Sequence, residues 1–549
     1  MKKNLPILKF IAAALFIITF STTAFAGGAQ ESGAAEKTRL NVAWTAGQSL
    51  DSLIIDENWQ YLEMGCTLWQ LCYDQLWIMG DAESGYAAQP MLATHWDVSE
   101  DKRTWTFYLR DDAVFHDGTP VTAYDVEFTF EYLPASDPAW DMVDFYYESM
   151  TVIDDYTIEI TMVNPFGMPY PPMYWAPILP KHIWEPYKDN FKSYENDHML
   201  GSGMYKIKEF KAGQYVWLEA NEDYWGGAPG VDEIVFKIYG AEDTRNMAIQ
   251  NGEADMVGYL GISPLTIEDF EDVEGIDVLI SPDINIYWLN FNLHQKNGIQ
   301  DLEVRKAIMH AVDVERIIEM ALVGYGEPAD SFVYKELEWY NDDITRYPYD
   351  AARAEAILDA AGYKDTDGDG VRNEKDGSGN MSYELLATAD VSEEVKAATI
   401  IAEMLGDVGI DVQLKLVDTD TYYNYLYTPD EDYFDFSLST EGPGPNGEWF
   451  WDFCRGWDNG GAGWNTAYYS SDEFDTAMDN MMASNTLEEK NMYRKEMQKI
   501  ISEDIPYGII FRKEIICPVN TAEFTGYTAT MGGTSNWINP WSFLNIEAK

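Results

Sequence analysis

The chain has 549 residues and a formal net charge of −58, from 94 acidic and 36 basic side chains. This excess of negative charge excludes nucleic acid and anionic membrane surfaces as partners, because both would be repelled. Hydrophobic residues make up 46% of the chain, which is enough for two or three compact units with large cores. We interpret the charge first as a solubility feature, with a preference for cationic ligands as the alternative.

The first 26 residues predict a cleavable secretory signal. A basic start is followed by an apolar run over residues 10–20, which ends at Ala24-Phe25-Ala26. The mature protein is therefore expected to begin near Gly27, with a linker over 27–37; a retained anchor is the alternative. No cysteine follows the apolar run, so we expect no lipid anchor, no direct membrane insertion, and a location in the periplasm or outside the cell.

Four cysteines, Cys66, Cys72, Cys454 and Cys517, allow two disulfides in three possible pairings. None of them has the spacing of a zinc site, and no catalytic partner is evident. Structural bridges or buried thiols are the two interpretations.

The first part of the chain predicts many short strands and one clear helix. The helix covers residues 122–133, with Thr122 as its N-cap and Asp125 in its first turn. The strands are expected over 39–44, 105–109, 157–162, 205–209, 216–219 and 231–238.

Helices dominate the second part of the chain, and several of them are followed by strand-like runs. Apolar residues at helical spacing predict one helix from Val304 to Leu322, closed by Gly324. Further helices are expected over 349–361, 393–408, 472–483 and 487–503, with a last strand over 508–511. This alternation predicts a second α/β unit with partly parallel strands.

Several motifs in a fixed order resemble one protein family. His95-Trp96-Asp97 is followed by WTFYLR at 105–110 and FHDGTPVTAYDV at 115–126. The series continues with GSGMY at 201–205, NEDYWGGAPGV at 221–231, residues 246–255 and 290–292, VRKAIMHAVD at 304–313 and GWNTAYYSSDEFD at 463–475. Together they resemble family 5 of the solute-binding proteins of ABC importers, the peptide/nickel class, over about residues 40–545.

The resemblance implies the two-lobed α/β fold of periplasmic binding proteins, type II, with an extra subdomain and hinged lobes. Lobe I would comprise 38–76, 200–293 and 518–549, its inserted subdomain 77–199, and lobe II 294–517. The hinge would lie at chain crossings near Asn292 and Cys517.

The implied function is a monomeric receptor that captures a small solute between the lobes and delivers it to the transmembrane subunits of an ABC permease. It would not be an enzyme. An exported hydrolase is the alternative from another class, although no nucleophile elbow, HExxH helix or phosphate loop supports it.

Aromatic faces and a few polar groups are expected to line such a cleft. The resemblance and the positions of aromatic residues give these candidates for ligand binding: Trp44, Thr45, Trp140, Tyr287, Trp288, Asn290, Asn292, Tyr422, Tyr423, Glu441, Asn446, Glu448, Trp449 and Trp451.

The loop after residues 434–438 departs from the family. Oligopeptide binders place an aspartate there for the peptide ammonium, whereas this chain offers Gly442-Pro443-Gly444-Pro445 with Glu441 and Glu448 as the nearby acids. A peptide remains our first expectation for the solute. An oligosaccharide is the alternative, because sugars stack on Trp and Tyr; nickel and haem are disfavoured by six scattered histidines.

An acidic loop independent of the cleft has the spacing of an EF-hand-like calcium site. Oxygens would come from Asp365, Asp367, Asp369, the Val371 carbonyl, Asn373 and Asp376, with Gly370 at the sixth position. An ordinary acidic turn is the alternative. No cofactor is required; a bound Ca²⁺ would be structural.

Overall fold

The computed structural model describes residues 37–53, 63–79, 88–136, 147–163, 176–258, 261–283, 285–295, 297–335, 337–428, 433–442, 449–456, 465–484, 486–529 and 541–549. Residues from Thr38 to Lys549 form one compact unit. The expected signal segment over 1–26 lies outside the described residues.

Twenty strands are found in the described part of the chain. They are β1 (Arg39–Thr45), β2 (Trp77–Met79), β3 (Ala88–Pro90), β4 (Ala93–Val98), β5 (Thr104–Leu109), β6 (Tyr147–Asp154), β7 (Thr157–Met162), β8 (Tyr205–Lys211), β9 (Tyr215–Ala220), β10 (Glu233–Tyr239), β11 (Met256–Val257), β12 (Ile276–Pro282), β13 (Ile286–Phe291), β14 (Gly326–Pro328), β15 (Ser382–Thr388), β16 (Asp411–Val417), β17 (Phe436–Glu441), β18 (Tyr507–Asn520), β19 (Phe524–Thr525) and β20 (Glu547–Ala548).

The same described residues contain thirteen α-helices. They are α1 (Glu63–Cys72), α2 (Ala123–Ser136), α3 (Lys181–Trp184), α4 (Glu242–Gln250), α5 (Leu302–Ala311), α6 (Val314–Ala321), α7 (Ala351–Ala361), α8 (Ser392–Asp407), α9 (Thr419–Leu426), α10 (Trp449–Cys454), α11 (Asp472–Met482), α12 (Leu487–Asp504) and α13 (Trp541–Asn545). Short 3₁₀ turns include Pro264–Asp269, which begins after Ser263.

One long strand organises the main sheet. The sheet has twelve strands in the order β16-β15-β17-β13-β18-β11-β1-β10-β9-β8, and β12 and β14 also pair with β18. The N-terminal part of β18 pairs with β13 and then with β14, and from Glu514 onward it pairs with β12. A single strand therefore links the two halves of the sheet.

We call the strands β1 and β8–β12, with the elements packed on them, the first half, and β13–β17 with theirs the second half. Tyr287, Leu289 and Phe291 of β13 pack in the core of the second half together with Phe511. The chain passes between the halves at two places, near Asp283 between β12 and β13 and near Lys513 within β18. These two passages are adjacent, because the Asp283 amide donates to the Lys513 carbonyl at 3.1 Å. They therefore lie slightly before Asn292 and Cys517 in sequence; the predicted lobe boundaries stay a prediction.

A separate four-stranded antiparallel sheet, in the order β4-β5-β7-β6, lies within the range expected for the subdomain. Its residues Phe107 and Ile158 are fully buried, and α2 packs beside them in the same core. Here Thr122 donates to the Asp125 carboxylate through both its amide and its hydroxyl, which closes the start of α2.

Most predicted elements are confirmed, and two are corrected. The predicted helix from Val304 to Leu322 is two helices, because Val312 is extended and the Asp313 side chain accepts from the Arg316 amide as a new N-cap. The predicted strand over 508–511 extends to Asn520, since its partners come from both halves. The parallel pairing is confirmed by β15 with β16 and β17.

The four cysteines are thiols, and all are buried. Burial raises the pKa of the Cys72 thiol strongly, which keeps it protonated. Of the two interpretations made from sequence, the structure therefore shows buried thiols rather than bridges.

Candidate functional site

Strand β13 presents different residues to its two faces. Paired residues of neighbouring strands share a face, so Trp288 lies beside Ser439 and Asn290 beside Ser437 of β17. Ile286 pairs with Glu441 on the same face. This is the face opposite the second-half core, because Tyr287, Leu289 and Phe291 point into that core.

Helix α9 lies against this face and supplies tyrosines. It begins at the N-cap Asp418, whose carboxylate accepts from both the amide and the hydroxyl of Thr421. The Tyr422 hydroxyl contacts the Ser439 hydroxyl at 2.7 Å and donates to the Leu438 carbonyl at 3.1 Å. Tyr422 thereby fixes α9 to strand β17.

Tyr423, Tyr427 and Glu441 lie together at the end of this strand pair, and we use the name recess for these three residues. The Tyr423 and Tyr427 rings are stacked, with centroids 6.2 Å apart and an interplanar angle of 12°. Tyr423 is 39% exposed, yet desolvation raises the pKa of its hydroxyl strongly.

The Glu441 carboxylate is the electrostatic centre of the recess. Desolvation raises its pKa to about 7, opposed only by a hydrogen bond with the Gly442 backbone. Its charge in turn raises the pKa of Tyr423 and of Tyr427 further, which places the three groups close together. Within the described residues, no Lys, Arg or His forms an ion pair with Glu441.

Aromatic rings enclose Trp288 next to the polar residues of β17. Trp288 is 2% exposed and makes edge-to-face contacts with Phe332, Phe453 and Tyr507 at centroid distances of 5.4, 6.4 and 6.1 Å. This cluster is continuous with the core of the first half. Trp288 therefore serves as a rigid base for the face that carries the recess.

A chain of hydrogen bonds runs beneath this face. The Asn290 amide donates to the Ser437 hydroxyl at 3.3 Å, and the Ser437 and Ser439 hydroxyls are 2.9 Å apart. Tyr422 completes the chain at Ser439. Because the chain is buried, it holds the orientation of α9 relative to the strands.

Other predicted site residues make protein contacts in this structure. Trp44 lies on the same face of β1 as Leu40 and Val42, and it packs edge to face on Phe236 at 5.6 Å in the first-half core. The Thr45 hydroxyl accepts from Arg245 at 2.9 Å.

In the second half, the Tyr287 ring stacks on Phe511 at 4.6 Å, and its hydroxyl donates to Glu394 at 3.1 Å. The Asn292 amide donates to the Phe434 carbonyl at 3.0 Å. Trp451 is buried, with Phe474 at 6.4 Å. These side chains pack against other residues of the protein and do not contact the recess residues in this structure. Their contact with a solute stays a prediction.

Trp140, Asn446 and Glu448 lie outside the described residues. Trp449 begins α10, and only its backbone position is described. Their predicted roles therefore stay predictions.

The recess includes one residue that the sequence reasoning missed. Tyr427 follows the end of α9, and its amide donates to the Tyr423 carbonyl at 3.0 Å. The spacing of four residues between these tyrosines was the available signal, because residues so spaced lie on one side of a helix. Phe332 and Tyr507 were also missed, since nothing local in the sequence brings them to Trp288.

The acidic loop brings three of its predicted ligands together. Carboxylate oxygens of Asp365, Asp367 and Asp369 all lie within 4.8 Å of one another, and the three residues are exposed. Three such oxygens are a donor set that suits a hard cation such as Ca²⁺. Asn373 instead accepts from the Thr366 amide at 2.8 Å, and Asp376 accepts from the Ser378 amide at 2.8 Å.

Among the described residues, no helix is both long enough and apolar enough to cross a membrane.

The fold and the recess together define a binding protein built on a two-part α/β scaffold. The family model for bacterial extracellular solute-binding proteins, family 5, matches residues 87–462, more than half of the chain. The chain belongs to this family of solute-binding proteins.

Curated relatives cover most of the chain. The oligopeptide-binding protein AppA of Bacillus subtilis is 28% identical over 73% of this chain and 74% of its own length. The probable D,D-dipeptide-binding periplasmic protein DdpA of Escherichia coli is 25% identical over 78% and 80%.

Solved structures confirm the fold. A periplasmic oligopeptide-binding protein of Thermotoga maritima has a TM-score of 0.80 at 21% identity, covering 93% of this chain and 99% of its own. NikZ of Campylobacter jejuni, solved with Ni(L-His), has a TM-score of 0.79 at 22% identity, covering 93% and 100%. The predicted fold of periplasmic binding proteins is therefore confirmed.

Proposed function

We propose that this chain is the exported receptor of an ABC importer and that it captures a peptide or a similar solute bearing an amine. The single observation that carries the proposal is the desolvated carboxylate of Glu441 beside two stacked tyrosines. The halves would close on the solute, which binds the closed form better and so shifts the population toward it.

An ammonium group is the natural complement of this recess. A carboxylate removed from water without a partner is unstable, and a cationic guest compensates it through a charge-assisted hydrogen bond. Tyr423 and Tyr427 add aromatic faces, which attract cations and pack on apolar side chains. The peptide-binding relatives, AppA and DdpA, support the same class of solute by their names.

The recess supports the other expected solutes less well. An oligosaccharide could stack on the tyrosines, but it offers no charge to Glu441. Among the described residues, the one group of close potential metal ligands is the aspartate cluster of the acidic loop, which includes no residue of the recess. Oligosaccharide binding is therefore the alternative outcome of the experiment below.

The sharpest test compares trialanine with N-acetyltrialanine by calorimetry on the full mature chain. Acetylation removes the ammonium and leaves the rest of the peptide unchanged. We expect trialanine to bind, and both acetylation and Glu441→Gln to lower the affinity by at least tenfold. The matched control is Glu384→Gln, an exposed carboxylate of β15 that pairs with Lys415 at 3.1 Å. Equal affinity for the two peptides, or preferential binding of oligosaccharides, would contradict the proposal.

We also propose that the protein releases its solute unchanged and hands it to the permease. Membership in a family of binding proteins supports this. Mass spectrometry of trialanine after long incubation with the pure protein should show no cleavage. Free alanine in that incubation, absent from a Glu441→Gln sample, would instead indicate a hydrolase.

Export with cleavage near Gly27 remains part of the proposal, supported by the predicted signal segment and by the extracellular family. N-terminal sequencing of the secreted protein checks the site of cleavage. Retention of the first 26 residues would contradict it.

We further propose that the acidic loop holds a structural Ca²⁺, supported by the three adjacent carboxylates. Asp365, Asp367 and Asp369 would hold the ion, which would tie the end of α7 to the start of β15. It has no part in solute binding.

A further inference from the structure

A buried polar cluster joins the two halves beside the passages of the chain between them. Its centre is Glu393 in the first turn of α8, which belongs to the second half. One Glu393 oxygen accepts from the Ser263 hydroxyl of the first half at 3.0 Å. The other lies 3.4 Å from the Lys513 ammonium on β18, the strand that links the halves. Glu393 therefore touches both halves and the connection between them.

The first-half side of this contact is held in place by its own hydrogen bonds. The Ser263 amide donates to the Glu242 carboxylate at 2.7 Å. Arg245 donates to the Gly261 carbonyl at 2.8 Å and to Glu242 at 3.4 Å. Ser263 is thus held by residues of the first half around α4.

The second-half side is equally constrained. Glu394, next in sequence, accepts from Tyr287 and Thr388, each at 3.1 Å. Lys513 also faces Asp283, the residue on the other passage, whose amide donates to the Lys513 carbonyl. The Lys513 ammonium therefore interacts electrostatically with the carboxylates of Glu393, Glu394 and Asp283, where the chain passes between the halves.

Burial of this cluster makes its geometry sensitive to motion. The Lys513 and Glu393 side chains are only 8% and 7% exposed. A buried charge must be paired and hydrogen-bonded, so a shift of the halves that breaks the Ser263 bond costs this Glu393 oxygen the shorter of its two hydroxyl hydrogen bonds, the other coming from Ser392 at 3.3 Å. The cluster does not touch the recess residues Tyr423, Tyr427 or Glu441 by any hydrogen bond among those of the described residues.

We infer that Glu393 is a positioning residue that, through Ser263 and Lys513, stabilises the relative orientation of the two halves seen in this structure. Glu393 would set the fraction of molecules whose halves are oriented to bind a solute, without itself contacting the solute. This rests on the proposed function only in taking the halves to move; its own test needs no ligand.

The test measures the distance between the halves in the ligand-free full mature chain by pulsed electron spin resonance. Met247→Cys in the first half and Leu416→Cys in the second supply exposed labelling sites, and the four native cysteines are buried. Glu393→Gln and Ser263→Ala are compared with Glu403→Gln, a control on the same helix whose exposed carboxylate pairs with Arg316 at 2.9 Å.

In both test variants we expect fewer molecules to show the distance between the halves seen in this structure. The ratio of these molecules to molecules with other distances should fall about tenfold, since each variant weakens a hydrogen bond to a charged group. Glu403→Gln should leave the distribution unchanged. Ser263→Ala removes one hydroxyl and keeps the buried ion pair, so it remains informative if Glu393→Gln does not fold. Unchanged distributions in both test variants would overturn the inference. Failure of trialanine to bind, with the distance shift intact, would overturn only the proposed peptide function.

Discussion

The most demanding prediction concerns Glu441, because one substitution should strengthen the fold and weaken binding. Burial raises the pKa of this carboxyl from 4.5 to about 7. Each unit of pKa corresponds to about 1.4 kcal/mol, so the charged form costs the folded protein about 3 kcal/mol. Glu441→Gln removes the charge and preserves the shape of the side chain.

The sign of the pH dependence follows from the direction of that shift. The folded state holds its proton more tightly than the unfolded chain, so the stability contribution is complete below about pH 4.5 and is lost as the pH rises toward 7. We therefore expect Glu441→Gln to raise the free energy of unfolding by up to about 3 kcal/mol at pH 8 and to change it little at pH 4.5. Urea denaturation of the ligand-free protein at the two pH values measures the difference.

Binding of an amine should show the opposite dependence on pH. The carboxylate is about half ionised at pH 7 and about one-hundredth ionised at pH 5, so affinity for trialanine should fall about fiftyfold over this interval. The peptide ammonium stays mostly protonated at both values. Glu441→Gln should bind weakly and with little pH dependence. An equal loss of stability at both pH values, together with an unchanged pH profile of binding, would refute the reasoning.

Three further predictions concern the surroundings of the recess and the acidic loop. Tyr423→Ala should lower peptide affinity about three- to tenfold in calorimetry with an unchanged melting temperature, because the ring is partly exposed, whereas Tyr423→Phe should keep most of the affinity. Trp288→Ala should lower the free energy of unfolding, measured by urea denaturation, by about 3–5 kcal/mol, because it creates a cavity among three aromatic rings. A change below about 1 kcal/mol would contradict the role of Trp288 as a packed base. Calcium at 100 times its dissociation constant should stabilise the wild type by about 2.7 kcal/mol relative to EDTA, and Asp365→Asn should abolish the gain; equal melting curves with and without calcium would leave an ordinary acidic turn.

The elements of the fold were largely predictable because their signals are local. Gly362 ends α7 in a left-handed conformation with φ of 98°, which is the role that its position after an apolar helical pattern indicates. The break between α5 and α6 was missed although Asp313 is a good N-cap, because the apolar spacing continues across it and outweighed the cap in our reasoning.

The site was only partly predictable. Tyr423 and Glu441 were proposed from sequence, and the structure places both in the recess, although their contact with a solute stays a prediction. The sequence could not exclude Trp44 from the binding site, because a tryptophan at the end of a strand can line a cleft or pack in a core. Its neighbours Leu40 and Val42 share its face, and that face is the core.

The sequence by itself determined the family, the α/β character and most element boundaries, since ordered motifs, caps and apolar periodicities are written along the chain. Only the tertiary structure decided which face of β13 carries the recess, because that depends on the register with β17 and β18. It also decided that Ser263 meets Glu393, 130 residues away in sequence. Contacts of this kind arise from packing between distant segments, and no local pattern encodes them.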